Sequence, residues 1–378
     1  MPESTKAKVE DRWQLLVSFH RFPVAKQPAR DASCGNQLIE GICNTMFGIS
    51  TQSGPVRTAT PGLYAGQTVG GWVKRDQAIM GTAISVELWS DDRRAGEAAA
   101  NAVMDEMHRI DRAMSPYKPE SELSRINRDA ALAPVPLSDE MTRLLVKALI
   151  FSELSDGAFD ITYAAVGRLY NYRERIRPTE SALAKARAAV GYRQLLVDAS
   201  ARTVRFGQPG MCIDLGGFAK GHAVDRATEI LRQRGIVHAN VSAGGDSRVI
   251  GDRRGRPWTI GVRDPRRPGA MVAVLPLEDT SISTSGDYER YFDDGGVRFH
   301  HLIDPATGRS PNSVHSVTIL ADDGLTTEAL SKSVFVLGVE KGMRLIESQQ
   351  DVDALVVDAN GKLHYSSGLL APSAQVRP

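Results

Sequence analysis

The chain has 378 residues, 42% hydrophobic and 24% charged, enough for one large or two ordinary soluble domains with a sizeable core. Its net charge of +1 gives no electrostatic case for nucleic acid or an anionic membrane surface, and no apolar run approaches membrane-spanning length. Three cysteines, Cys34, Cys43 and Cys212, none at C-x-x-C spacing, are too few for a disulfide scaffold.

Residues 1–70 lack sustained periodicity apart from a patch at 13–19, and are rich in Gly, Ser, Thr, Pro and Gln around 48–71. Residues 1–75 read as a disordered or mis-started leader. No basic stretch precedes an apolar core, so no secretory signal is legible and the chain as written is expected to be cytoplasmic. Ala32 and Ser33 before Cys34 hint at a lipoprotein cleavage site, but Asp31 and the missing apolar segment do not suit one. A different true start would make the chain periplasmic or membrane-anchored.

The folded part reads as starting near Met80, within a single domain over 76–372. Ile84, Val86 and Leu88 alternate with other residues, as in a half-buried strand. Ala99, Val103, Met107, Ile110 and Met114 recur at helical spacing over 94–114, and Ser115-Pro116-Tyr117 ends the run. The methionines are read as core. Ser138 caps a second helix whose face is Met141, Leu144, Leu145, Ala148 and Leu149; a third covers 179–190, stopped by Gly191. Short strands are predicted at 195–198, 203–206 and 211–213. Then comes a helix with Ala219, Ala223, Ala227, Ile230 and Leu231 on one face and Gly235 as its stop. Further strands are predicted at 237–241, 247–250, 258–262, 272–277, 297–303 and 316–320. Helices over 327–337 and 341–348 precede a hairpin, 354–357 and 363–366, turned at Asn360-Gly361. The fold class is mixed α/β (α+β) with much antiparallel sheet.

The stretch Cys212 to Asp225, C-I-D-L-G-G-F-A-K-G-H-A-V-D, carries the strongest chemical pattern. Gly216 and Gly217 let backbone approach a ligand where a Cβ would block it. The turn then offers the free N–H groups of a helix N-terminus, a natural seat for phosphate. Asp214 before the turn and Lys220 after it bring a carboxylate and an ammonium to the same place. The pattern is neither G-x-G-x-x-G nor a Walker A loop.

Four other stretches look chemical. Met80-Gly81-Thr82 opens the first strand; Met114-Ser115-Pro116-Tyr117 puts an aromatic at a helix exit; Asp156-Gly157-Ala158-Phe159-Asp160-Ile161-Thr162 sets two carboxylates around a turn. In His300-His301-Leu302-Ile303-Asp304-Pro305, strand alternation lets only one histidine face a site, and Asp304 is placed to orient one of them.

The ordered set M-G-T, M-S-x-Y, S-D-G-A-F-D, D-L-G-G-F-A-K-G-x-A-V-D, S-A-G-G-D, S-T-S-G-D-Y and H-x-x-D-P-x-T-G resembles the ApbE family of FAD:protein FMN transferases, from about Met80 to about Gly368. The resemblance implies cleavage of the FAD pyrophosphate and passage of FMN to a Thr or Ser hydroxyl of a partner flavoprotein, with release of AMP. It implies that Met80, Tyr117, Ala158, Phe159, Asp160, Asp214 and Lys220 contact FAD. It further implies that His301 is the base for the acceptor hydroxyl, and that Mg²⁺ is held in part by the Gly217 carbonyl. Phosphoryl transfer of this kind needs positioning and charge neutralisation more than covalent chemistry.

One departure stands out. The family places Asp and Thr at i and i+4 on the helix after the S-V-T strand, as metal ligands. Aligned without gaps, those positions hold Glu328 and Lys332. Glu328 is an acceptable ligand, whereas the Lys332 ammonium has no lone pair to give. A shifted alignment offers Asp323 and Thr327 instead. Two other readings stand beside the transferase: an FAD pyrophosphatase using water, and a flavin-binding protein with a degenerate metal site.

Overall fold

The computed structural model describes residues 70–369. The 13–19 patch, Cys34 and Cys43 lie outside the described residues, as do most of the expected leader and positions 370–372. The fold begins with a hairpin. Strand β1 (Gly71–Ile79) pairs with β2 (Thr82–Ser90) across a two-residue turn, Met80-Gly81. Both turn residues have positive φ, 54° and 68°, the twist that matches a pair of right-handed strands. Sequence patterning starts the fold after β1, because only Val73 and Ile79 of that strand are buried and Lys74, Asp76 and Gln77 face solvent.

From β2 the chain enters helix α1 (Arg93–Met114), capped by Asp92, whose carboxylate accepts the Arg94 and Ala95 N–H groups. Its methionines Met104, Met107 and Met114 are buried in the main core, as expected. Helix α2 (Glu122–Asp129), strand β3 (Val135–Pro136) and helix α3 (Asp139–Leu154) follow, the last capped by Ser138 as read from the sequence. Next are α4 (Ala164–Gly167), α5 (Glu180–Arg187, capped by Thr179), β4 (Leu195–Asp198) and β5 (Thr203–Phe206). Helix α6 (Ala219–Gln233) then leads to β6 (Ala239–Ala243), β7 (Asp246–Ile250), β8 (Trp258–Arg263), β9 (Met271–Leu277) and β10 (Ser281–Gly286). The chain ends through β11 (Tyr291–Asp294), β12 (Val297–His300), β13 (Val314–Ala321), α7 (Gly324–Glu347), β14 (Asp353–Asp358) and β15 (Leu363–Tyr365).

Eight strands make the main sheet, in the order β1-β2-β6-β7-β10-β13-β14-β15, every neighbouring pair antiparallel. Helices α1, α6 and α7 pack on it and on one another. Their shared core includes Ile84, Val86 and Leu88 from β2, Val103 and Ile110 from α1, Ala223 and Leu231 from α6, and Val334 and Phe335 from α7. The mixed α+β class with a large antiparallel sheet is therefore the observed one. Among the described residues no helix is long and apolar enough to cross a membrane.

Two local expectations change. Residues 211–213 form no strand: Ile213 is instead gripped by the Asn127 side chain, which accepts from its N–H at 2.8 Å and donates to its carbonyl at 2.9 Å. An amide side chain has an acceptor oxygen and a donor nitrogen side by side, so it replaces a neighbouring strand here. The helices expected at 327–337 and 341–348 join in α7, which is broken at Gly338 (φ 75°, ψ −179°), a conformation open to glycine alone.

Candidate active site

Two glycines decide how the site is built. A Cβ on Gly221 of α6 would lie 2.1 Å from the Gly324 carbonyl oxygen, and one on Gly324 would lie 2.6 Å from that of Gly221. Their absence lets the first turns of α6 and α7 cross backbone to backbone. Asp225 fastens the crossing by accepting the Gly324 and Leu325 N–H groups at 2.8 and 3.1 Å, and Arg248 pairs with it. One turn further along α7, Glu328 is thereby laid against the N-terminus of α6.

Glu328 is fully buried and its carboxylate is fully engaged. One oxygen accepts the Gly221 N–H at 2.7 Å; the other pairs with Lys220 and, at 3.3 Å, with Lys332. Lys220 also reaches the Gly216 carbonyl at 3.1 Å and Asp246 at 3.0 Å. Asp246 in turn accepts from the Ser283 hydroxyl at 2.5 Å. The Lys332 stem lies along Gly217, where an added Cβ would be 3.6 Å from its Cε. Burial pushes the Lys220 ammonium down, but Asp246 and Glu328 outweigh it and hold its pKa above the ordinary lysine value. At Lys332 burial wins over Glu328 and Asp246 and the pKa falls. At Asp246 burial is outweighed by the two ammonium groups, and the carboxyl sits below its usual range. Asp246 belongs to the A-G-G-D turn between β6 and β7, where Gly245 lets that turn close on β10: a Cβ there would meet the Thr284 carbonyl oxygen at 2.6 Å.

The histidine pair divides as strand alternation requires. His300 is fully buried, with Nε2 at 2.8 Å from the Pro311 carbonyl and its ring edge-on to Phe335. His301 is half-buried, its Nδ1 enclosed and without a partner among the described residues. Burial, then the positive charges of Arg290 and its neighbours, push its pKa down to about 3, so the imidazole is neutral near pH 7. Lys220 and Lys332 contribute to that field, which sets His301 within electrostatic reach of the ion cluster. Asp304 orients neither histidine. It caps its own turn, accepting from the Ala306 N–H and the Thr307 hydroxyl at 2.9 Å each.

Asp214 stands at the same glycine turn, accepting the Gly216 N–H at 2.6 Å, with burial raising its carboxyl. Beside it sits Tyr163, a residue the sequence reading left out. The Asp214 charge and then burial hold its phenol protonated, and the field of Tyr117 also reaches it. Tyr117 is 89% exposed, an aromatic face free at the rim. Met80 occupies the left-handed conformation at the β1–β2 tip, a strained place for a long side chain. The Arg290 guanidinium, also unforeseen, lies 3.8 Å from where a Gly81 Cβ would be, and the Arg290 carbonyl accepts the His301 N–H at 3.1 Å. Ala158, Phe159 and Asp160 are all buried. The Phe159 ring is buried against Phe218 and Phe151. Asp160 is buried and spends its oxygens on the Thr162 N–H and hydroxyl and on the Tyr192 N–H, at 2.6–2.8 Å.

The residues present do not fit a divalent cation at Glu328 and Gly217. Every oxygen of Glu328 faces a donor, and two of those donors are ammonium groups. At an effective dielectric of about 20, unit charges of like sign about 4 Å apart repel by roughly 4 kcal/mol, and a divalent ion doubles the penalty. The shifted pair fits no better. Asp323 caps α7 through the Thr326 N–H and hydroxyl, both at 2.8 Å, and the buried Thr327 hydroxyl donates to the Gly324 carbonyl.

Comparison with known proteins agrees with this architecture. The model of the ApbE family matches residues 80–356. A Treponema pallidum protein described as FAD:protein FMN transferase is 33% identical over 316 residues, covering 78% of this chain and 87% of the relative. A protein of the same description from Klebsiella pneumoniae is 31% identical, over 76% of this chain and 90% of its own length. Among solved structures, the ApbE protein of Thermotoga maritima superposes with a TM-score of 0.74 at 34% identity, over 79% of this chain and 98% of its own. The flavin transferase ApbE from Vibrio cholerae gives 0.71 at 29%, with the same coverage. With the family model matched over residues 80–356 and a relative 33% identical of which the chain covers 87%, the chain belongs to the ApbE family.

Proposed function

We propose that the chain is a flavin transferase that moves FMN from FAD to a Thr or Ser hydroxyl of a partner flavoprotein and releases AMP. The observation that carries this reading is a neutral, half-buried imidazole, His301, within electrostatic reach of two lysines at a glycine turn. A neutral imidazole accepts a proton; ammonium groups stabilise phosphate charge. In the reaction the acceptor oxygen attacks the phosphorus on the FMN side, and its proton passes to His301. The bond from that phosphorus to the bridging oxygen breaks, and its electron pair leaves with AMP. Lys220 and Lys332 offset the charge that gathers on the phosphates. Tyr117 supplies an exposed ring for a planar ligand, Met80, Asp214 and Tyr163 contribute further contacts, and Ala158, Phe159 and Asp160 act through the backbone they hold. The Mg²⁺ implied by the resemblance is given no step, because Glu328 and Gly217 do not suit it. Residues 76–372 make the transferase domain, which β1 extends back to Gly71.

The test is incubation with FAD and a candidate acceptor flavoprotein, followed by intact-mass measurement of the acceptor. A gain of one FMN, with AMP in solution, supports the transferase. Free FMN and AMP with an unmodified acceptor would mean that water is the acceptor.

A further inference from the structure

The cluster around Glu328 has a property that the transfer reaction alone does not require: it carries its own cations. Asp246 and Glu328 are matched by Lys220 and Lys332, two negative charges against two positive. Lys332 is not a surface lysine swung inward. Its stem is laid along Gly217, and its ammonium meets Glu328 at 3.3 Å. An ammonium has three donors, and Glu328 takes one of these among the described residues. The other two are available to an anion.

We infer that the Lys332 ammonium, seated between Glu328 and Gly217, stands in for a divalent cation, so that this chain meets the pyrophosphate of its dinucleotide with Lys332 and holds no metal of its own there. The inference rests on the flavin reading for the identity of the dinucleotide; the ammonium site itself rests on the geometry. Lysine is suited to the task because it acts on phosphate as a compact point charge.

Flavin fluorescence quenching measures the test directly, with FAD titrated into the full chain in EDTA and again in excess Mg²⁺. The wild-type affinity is expected to differ less than twofold between the two. Lys332→Thr is expected to bind FAD at least tenfold more weakly in EDTA and to recover most of that loss with Mg²⁺. Lys332→Met keeps the stem on Gly217 and removes only the charge, so it should show the same loss in EDTA, while its circular dichroism reports that the fold is intact. A wild-type affinity that falls tenfold or more in EDTA overturns the inference. So does one equivalent of Mn²⁺ bound by the wild-type protein, seen by electron paramagnetic resonance, and lost in Glu328→Gln. If FAD binds under neither condition, the flavin reading fails. Inorganic pyrophosphate titrated by calorimetry in EDTA then decides on the Lys332 ammonium: binding lost in Lys332→Met upholds it, and no binding overturns it.

Discussion

His300 and His301 are adjacent in sequence and opposite in environment, which makes them a sharp pair to test. His301→Ala is expected to keep FAD and lose turnover by about 10²–10⁴-fold, the usual worth of a general base. His300→Ala should instead lower stability by about 1–3 kcal/mol, since it removes a buried hydrogen bond and an aromatic contact. Acceptor mass and urea unfolding separate the two effects. The pH dependence has a definite sign. His301 has a folded pKa near 3 against 6.5 for a free imidazole. Between those values the unfolded chain binds the extra proton. The histidine's contribution is therefore complete above about pH 6.5 and lost as pH falls toward 3, with a slope of at most about 1.4 kcal/mol per pH unit. Unfolding midpoints at pH 4 to 7 should show a smaller slope in His301→Gln. The sequence was sufficient to choose His301, because period-two alternation and its motif agree. It was not sufficient for Asp304 or Asp160, whose carboxylates go to local turns and to the Tyr192 backbone. One-dimensional spacing does not say where a short acidic side chain finds its donors.

At the scale of elements, the pairing of α6 with α7 governs the site. Gly221→Ala places a Cβ against the Gly324 carbonyl, so the helices must part. The expected cost is about 1–3 kcal/mol, typical of overpacking. Because Glu328 reaches Lys220 only through this crossing, FAD binding should weaken along with the loss of melting temperature. A variant that loses stability but binds FAD normally would show that the crossing does not position the cluster. Long amphipathic helices such as α1 were legible from spacing alone, and so was the cap at Ser138. The strands β1 and β10 were not. The first shows solvent its charges, and the second reads S-I-S-T-S-G, with hydroxyls turned inward to Asp246 and Ser331 rather than apolar side chains. The supposed strand at 211–213 failed for the opposite reason: it is apolar and extended, but Asn127 satisfies it.

Across the whole molecule, the site draws on both ends of the described chain: the β1–β2 tip, the α6 turn, the β6–β7 turn, the end of β12 and the start of α7. Ligand binding should therefore stabilise the folded unit as one body. At FAD concentrations near 100 times Kd the gain is about 2.7 kcal/mol, which raises the melting temperature of a domain this large by roughly 4–5 °C in a single transition. A calorimetric scan that splits into two transitions, only one of them moved by FAD, would contradict this. The class of fold was readable because strands and helices alternated loosely. The strand order was not, since β10 and β13 pair across residues that include two small strands of a separate sheet.

The matched charges of Asp246, Glu328, Lys220 and Lys332 also bear on how fast a ligand arrives. Equal numbers of opposite charges within a few ångströms leave little field at a distance, so this cluster adds little long-range pull on an approaching dinucleotide. The association rate, followed by stopped-flow quenching of flavin emission, should then change only modestly between low and physiological ionic strength. Glu328→Gln leaves an uncompensated positive charge, and its rate should rise at low salt and fall back as salt screens it. A wild-type rate as steeply salt-dependent as that of Glu328→Gln would mean that charges elsewhere, such as Arg290, guide the encounter. Otherwise the site engages its ligand by fit at close range, trading speed of capture for indifference to the ionic strength around it.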